Sequence, residues 1–440
     1  MRKWHAKSRR CIRHVSLALA GALGALAFSP DPAAARSARL ESAYVVLGGQ
    51  GAIARAILTR TSRCPTIRIG RATRRMSVRA KPDGAFPVLV CETLIPRGTT
   101  SAAIGRRNLP LPKRSLARVV TLGDTGCRVE APEKGKPGDG HDEPGQYQDC
   151  NRAAKWPFAW VSKAAAARRP GLVIHVGDYL YRESPCPRRD KGCAETPYGD
   201  NWRAWRADFF VPADRLLSAA PWIMVRGNHE SCKRGGLGYF RFLHPELARH
   251  HRPPACTDFL APYALTIGGK PFIVFDSSRA DDSCRNGPCD SARYAAQFAS
   301  LKPARGTWFL SHRPVWGIGR TFTLNKTLQQ ALKASDGKLP KGIDLALSGH
   351  MHMFELLSFA DRRAPQLIVG NGGTLLDDPI DHRLDGVTVG GAKVRYGRWE
   401  HRFGILMIAP KKKSATATFI NDRGKARFEC TLTPSTARCD

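Results

Sequence analysis

Residues 172–181 read Leu-Val-Ile-His-Val-Gly-Asp-Tyr-Leu-Tyr, an apolar run that meets a glycine and then, at once, an aspartate. A short apolar run bounded by a turn residue reads as a buried strand. Glycine at its end lets the backbone turn sharply and brings the next side chain close to a bound group. Taken alone, a Gly-Asp pair is an ordinary turn or helix cap. Its weight comes from repetition.

The same punctuation recurs at Gly123-Asp124 after 119–122, at Gly227-Asn228-His229-Glu230 after 222–225, at Ser311-His312 after 307–310, and at Gly349-His350-Met351-His352 after 345–347. Five strand ends thus present metal-type side chains, and in open α/β sheets functional groups gather at the carboxyl edge of the strands. A further apolar run at 272–275 and helical stretches at 152–168 and 291–301 give an α/β domain in which helices cover buried sheets. The strand-rich tail at 403–428 is expected to complete a second sheet.

Upstream, 43–47, 66–69 and 88–91 are short β-type runs separated by Gly and Pro, with no long helix among them. They predict a small β-sandwich-like module over 36–114, closed by the linker-like Pro110, Pro112 and Lys113, and leave 115–440 as the catalytic domain. Two polar, Gly- and Pro-containing loops, 127–150 and 182–201, each follow a strand carrying a candidate ligand and are placed to shape a substrate entrance.

The N-terminus has the three parts of a signal peptide over 1–35: basic Arg2, Lys3, Lys7, Arg9, Arg10 and Arg13, an apolar run at 15–28, and Ala33-Ala34-Ala35. Ser8-Arg9-Arg10-Cys11-Ile12-Arg13 fits either a twin-arginine export signal or an ordinary secretory leader that contains two arginines. The run is short for a membrane span and no later stretch reaches the length that would suggest one, so a periplasmic or secreted protein without a transmembrane segment in the mature chain is expected. Of 13 cysteines, Cys11 leaves with the leader; the even remainder suits disulfides in an oxidising compartment. Cys186 with Cys193 and Cys284 with Cys289 are the nearest pairs, and no zinc-site spacing occurs.

The chain has 440 residues, 42% of them hydrophobic, and reads as globular. Its formal charge of +33 favours anionic partners. These include a small phosphorylated substrate and nucleic acid or another polyanion, and a merely basic solvated surface reads the same way. The sequence does not fix the oligomeric state.

Together the five blocks resemble the calcineurin-like metallophosphoesterase superfamily, over about residues 117–410. The resemblance implies a four-layer sandwich of sheets flanked by helices. In that superfamily a histidine usually stands two residues after the first aspartate, where this chain has Gly126. Tyr181, three residues after Asp178, resembles instead the purple acid phosphatase branch.

By that resemblance Asp124, Asp178, Tyr181 and His352 hold one of two metal ions and Asp178, Asn228, His312 and His350 the other, with Asp178 between them. Carboxylate and phenolate oxygens suit trivalent iron, and imidazole and amide groups suit divalent zinc, iron or manganese. The implied reaction is attack of a hydroxide bridging the metals on a phosphate monoester, acid-phosphatase-like. His229 would donate to the phosphate or protonate the leaving oxygen. A phosphodiesterase or nucleotide hydrolase on the same metals is the enzyme alternative. A polyanion-binding protein with a degenerate site is the non-enzyme one, and it predicts missing ligands where none is missing.

Two positions depart from the branch: Thr321, beside Arg320, stands nine residues after His312 where another histidine is common, and Phe354 replaces a usual tyrosine. Arg313 and Arg320 suit phosphate or simply cover the surface. Trp202 and Trp205 suit packing or a base-binding groove, and Asn371-Gly372-Gly373 reads as a structural turn.

Overall fold

The structure, a computed structural model, describes residues 38–132, 145–284 and 289–440. The leader expected at 1–35 lies outside them. Two large sheets organise the rest. In the first, of eleven strands, Val119–Leu122, Leu172–His175 and Trp222–Met224 lie parallel and adjacent. In the second, of eight strands, Lys270–Val274, Thr307–Leu310, Ile343–Ser348 and Gln366–Val369 are likewise parallel neighbours.

Every residue of Leu172–His175 is buried, because both faces of a parallel strand are covered. Its alternate side chains enter different cores. Leu172 and Ile174 join a cluster with Leu310, Leu347 and Val369 of the other sheet, whereas Val173 packs with Phe158, Val161 and Phe209 of helical segments. A third cluster sets Phe309 and Ala346 against Tyr294, Phe298 and Leu328 of helices on the far side. Three cores between successive layers make four layers: helices, sheet, sheet, helices.

The helices are shorter than the sequence reading. Phe158–Ala167 starts only after Pro157, which fixes its own φ and disfavours a helical residue before it. Ser291–Ser300 ends one residue short of the expected 301.

Two expectations are corrected. The stretch 36–114 does not stand apart as a small β-sandwich-like module, since 38–440 form one compact unit. Arg39–Gly48 pairs in parallel with Trp222–Met224 through Val46 and Trp222, and Gly51–Thr59, Leu89–Ile95 and Ser77–Ala80 extend the eleven-stranded sheet beyond it. A separate four-stranded sheet, including Thr66–Ile69 and Ala102–Ile104, is what remains of the expected module. The tail, in turn, adds to the first sheet: Gly404–Pro410 pairs antiparallel with Val119–Leu122. The apolar edge beside Val119 is thereby paired rather than left open.

Among the described residues six disulfides are formed: Cys64–Cys91, Cys127–Cys150, Cys186–Cys193, Cys232–Cys256, Cys284–Cys289 and Cys430–Cys439. Both nearest-neighbour pairs of the sequence reading are among them. Among the described residues no helix is long and apolar enough to cross a membrane.

Candidate metal centre

The five punctuated strand ends meet at one place, where the carboxyl edges of the two sheets face each other. Asp124, Asp178 and His350 each adopt a left-handed backbone, with φ of 56°, 58° and 74°. L residues avoid that region, and such strain collects at functional sites. Room is equally tight: a Cβ on Gly227 would lie 1.9 Å from Asp178 Oδ1, so only glycine fits there.

The Tyr181 hydroxyl is the point of convergence. It lies 3.0 Å from Asp124 Oδ1, 2.9 Å from Asp178 Oδ2 and 3.0 Å from His352 Nε2. On the other side of Asp178, His312 Nε2 lies 3.1 Å from Asp178 Oδ2 and 2.9 Å from Asn228 Oδ1. His312 Nδ1 donates to the Val176 carbonyl at 2.8 Å, which turns Nε2 towards the cluster. Nitrogen and oxygen donors of Asp178, His312 and His350 lie within 4.8 Å of one another. His350 Nε2 also meets Asp282 Oδ2 at 2.8 Å and Arg313 Nη1 at 3.1 Å.

This donor set fits a pair of cations. Burial pushes the Asp124 carboxyl well above its ordinary range. It also lowers His352 to about 3, which keeps that imidazole neutral with its lone pair free. Burial opposes charge on His312 too, yet Asp178 beside it lifts the ring to about 9. The buried carboxylates of Asp124 and Asp178 meet at the one Tyr181 hydroxyl, an arrangement that is costly unless positive charge is supplied, and carboxylate, phenol, amide and imidazole are metal-binding groups.

His229 lies beside the cluster. Its ring packs on that of Tyr181 with centroids 3.9 Å apart, and its Nδ1 is 2.7 Å from Glu183 Oε1. Arg234 pairs with Glu183 at 2.7 Å and Glu130 at 2.9 Å, so the histidine is held in a charged frame. A cavity of 710 Å³ opens over these groups, lined by His229, His350 and His352 with Arg128, Arg234 and Phe322. The loop read at 127–150 contributes Arg128, Glu130 and Gln146 to its wall.

Sequence reading missed two residues that build the site. Glu230, fully buried, accepts from the backbone N–H groups of Gly227, Asp178, Tyr179 and Leu180 at 2.8–3.2 Å. Burial and Asp178 push its carboxyl up to about 8, against the pull of those donors. Asp208 accepts from Tyr181 N at 2.8 Å and Cys127 N at 3.1 Å and pairs with Arg182 at 2.5 Å. It ties the loop after Asp124 to the loop after Asp178. A Cβ on Gly126 would lie 2.8 Å from Asp208 Oδ2 and 2.7 Å from Tyr181 N, so no histidine fits where the superfamily usually has one. Glu230 stood in view beside His229; Asp208 carried no local signal.

Other candidates fall elsewhere. Arg320 is exposed and pairs with Asp378 and Asp381. Trp202 and Trp205 are buried in the helix-side core. Asn371 is buried and donates to Arg402 O at 2.5 Å.

Two mixed sheets with parallel centres, sandwiched between helices, with donors of both meeting at the carboxyl edges of the parallel strands, define the class: an α/β sandwich with a donor set suited to paired cations. The calcineurin-like phosphoesterase model matches residues 117–354. The chain belongs to that family and is a hydrolase of phosphate esters. Within it the chain is similar to purple acid phosphatases. It is 25% identical over 301 residues to a tartrate-resistant acid phosphatase type 5 of Oryctolagus cuniculus, covering 63% of this chain and 86% of the relative. The enzyme of the same name from Homo sapiens is 25% identical over 287 residues, covering 61% and 80%. Purple acid phosphatase PPD1 from yellow lupin (Lupinus luteus) seeds shares the fold with a TM-score of 0.56 at 13% identity, over 89% of this chain and 74% of that one. PhoD does so with 0.55 at 12% identity, over 91% of both chains.

Proposed function

We propose that the protein is an exported, dinuclear phosphoesterase of acid-phosphatase type that hydrolyses phosphate monoesters. The observation that carries this reading is the convergence of the Tyr181 hydroxyl on Asp124, Asp178 and His352 within 3.0 Å. Asp124, Asp178, Tyr181 and His352 would hold iron, and Asp178, Asn228, His312 and His350 would hold zinc, iron or manganese. When bound, such a pair supplies Lewis-acid activation of water and neutralises phosphate charge.

The chain's own residues do the rest. Asp178 stands between the two ligand groups, and Glu230 fixes the backbone that carries it by accepting four N–H groups. His229, braced by Glu183, is the group that donates to the phosphate or protonates the leaving oxygen. Arg128 and Arg234 add positive potential to the cavity wall, which draws in an anionic ester.

The monoester preference is supported by the acid phosphatase relatives, 25% identical over most of their length. Export is supported by the six disulfides, which form and persist in oxidising compartments. The test is a panel of phosphate mono- and diesters assayed on metal-loaded protein. Monoesters should be turned over faster than their matched diesters; the reverse order would move the assignment to a phosphodiesterase, and phosphate release from none would end it.

A further inference from the structure

Phe322 is 49% exposed, one of five exposed large apolar side chains among the described residues, and of those five it alone lines the cavity over the site. It stands on the hairpin formed by Gly317–Ile318 and Thr323–Leu324. Gly319 N donates to Phe322 O at 2.8 Å and closes the turn. A Cβ on Gly319 would lie 2.4 Å from one ring carbon of Phe322 and 2.6 Å from two others. Three nearly equal distances mean that the end of the ring lies over the glycine with its face, not its edge. The ring therefore rests on bare backbone at one face, and only glycine leaves room for it.

A ring seated on backbone at one face and half-exposed keeps the other face for a ligand, and a seated ring has less entropy to lose on stacking than a free one. Flat π-systems gain most from an offset ring partner. The cavity measures 710 Å³, within the range that encloses a whole small ligand and more than a phosphoryl group needs. His229, His350 and His352, beside which the phosphate would sit, line the same cavity as Phe322.

We propose that Phe322, set by Gly319, receives the flat aromatic part of the substrate, so that the site favours phosphate monoesters carrying a nucleobase over aliphatic ones. The proposal rests on the phosphoesterase reading above. It gives the hairpin that carries Thr321, one of the departures from the purple acid phosphatase pattern, a task of its own.

The experiment compares wild type, Phe322→Ala, Phe322→Trp and Gly319→Ala, using adenosine 5′-monophosphate and glycerol 2-phosphate on metal-loaded protein. Alongside it, saturation transfer from metal-free protein to the base protons of adenosine reads the platform without catalysis. Phe322→Ala should lower the ratio of kcat/KM for the nucleotide over the aliphatic ester about tenfold. Gly319→Ala, which keeps the ring but displaces it, should lower the same ratio, and Phe322→Trp should preserve it. Adenosine should receive saturation from wild type and not from Phe322→Ala. An unchanged ratio, or adenosine signals indifferent to Phe322, overturns the platform and leaves the phosphoesterase reading standing. If wild type hydrolyses neither ester, that reading fails, and the adenosine measurement still decides on Phe322.

Discussion

The hydroxyl of Tyr181 lies 3.0 Å from Nε2 of His352, although 171 residues separate the two in sequence. The same oxygen touches the carboxylates of two different strand ends. In the proposed site a phenol in that position would supply an oxygen ligand to a hard trivalent cation. Tyr181→Phe should therefore abolish a visible absorption band in the metal-loaded protein while the far-ultraviolet circular dichroism stays native. A colourless wild type with two divalent metals would remove iron from the reading and leave the phosphoesterase site in place.

Glu230 acts on the site through the backbone. Its two oxygens take N–H groups from Gly227, Asp178, Tyr179 and Leu180. Glu230→Gln would turn one acceptor into a donor against those N–H groups. Groups that hold ligands in place typically cost about 10- to 100-fold in metal affinity when changed, and competition titration with a chelator should show a loss of that order. Affinity equal to wild type would mean that the loop holds its shape without Glu230.

The Arg182–Asp208 pair is almost wholly enclosed, with side chains 4% and 0% exposed. Removing one partner leaves the other charge buried and uncompensated. Asp208→Ala should destabilise the fold by about 3–5 kcal/mol in urea unfolding. Replacing both residues by apolar ones of similar volume should cost much less, because no buried charge is then left alone.

Cys127–Cys150 closes a loop of sequence separation 23 that carries Arg128 and Glu130 to the cavity. Loop-closure entropy makes such a bridge worth about 3 kcal/mol. The double variant Cys127→Ser with Cys150→Ser should lose stability of that size and a larger share of activity than of secondary structure. A variant as stable as wild type would show that the Asp208 ties hold the loop unaided.

Much of the site was legible because each strand is short, apolar and closed by a glycine or serine that announces a turn. The residues after those turns are the ones that meet. What stayed hidden depends on pairing across long stretches of chain. Nothing in 39–48 says that Val46 will align with Trp222, so a stretch of short β runs reads as a module when it is the flank of the main sheet. The tail likewise joins Val119–Leu122 by a ladder that no local pattern encodes. Asp208 lies in a π-helical turn, Arg206–Phe210, surrounded by aromatic residues, and its role appears only when the loops after Asp124 and Asp178 close on it. Disulfides divide in the same way: Cys186–Cys193 spans 7 residues and was readable, whereas Cys64–Cys91 spans 27 and needs the sheet to bring its ends together.

The most direct test of the paired-cation centre is the metal content of purified protein, wild type beside Asp178→Asn, by inductively coupled plasma mass spectrometry. Asp178 touches both ligand groups, through Tyr181 on one side and His312 on the other. Two transition-metal ions per wild-type chain, with loss of both the pair and phosphate release in Asp178→Asn, is the expected result. Active wild type with fewer than two transition-metal ions per chain, or an Asp178→Asn variant that keeps both ions and full activity, would contradict it.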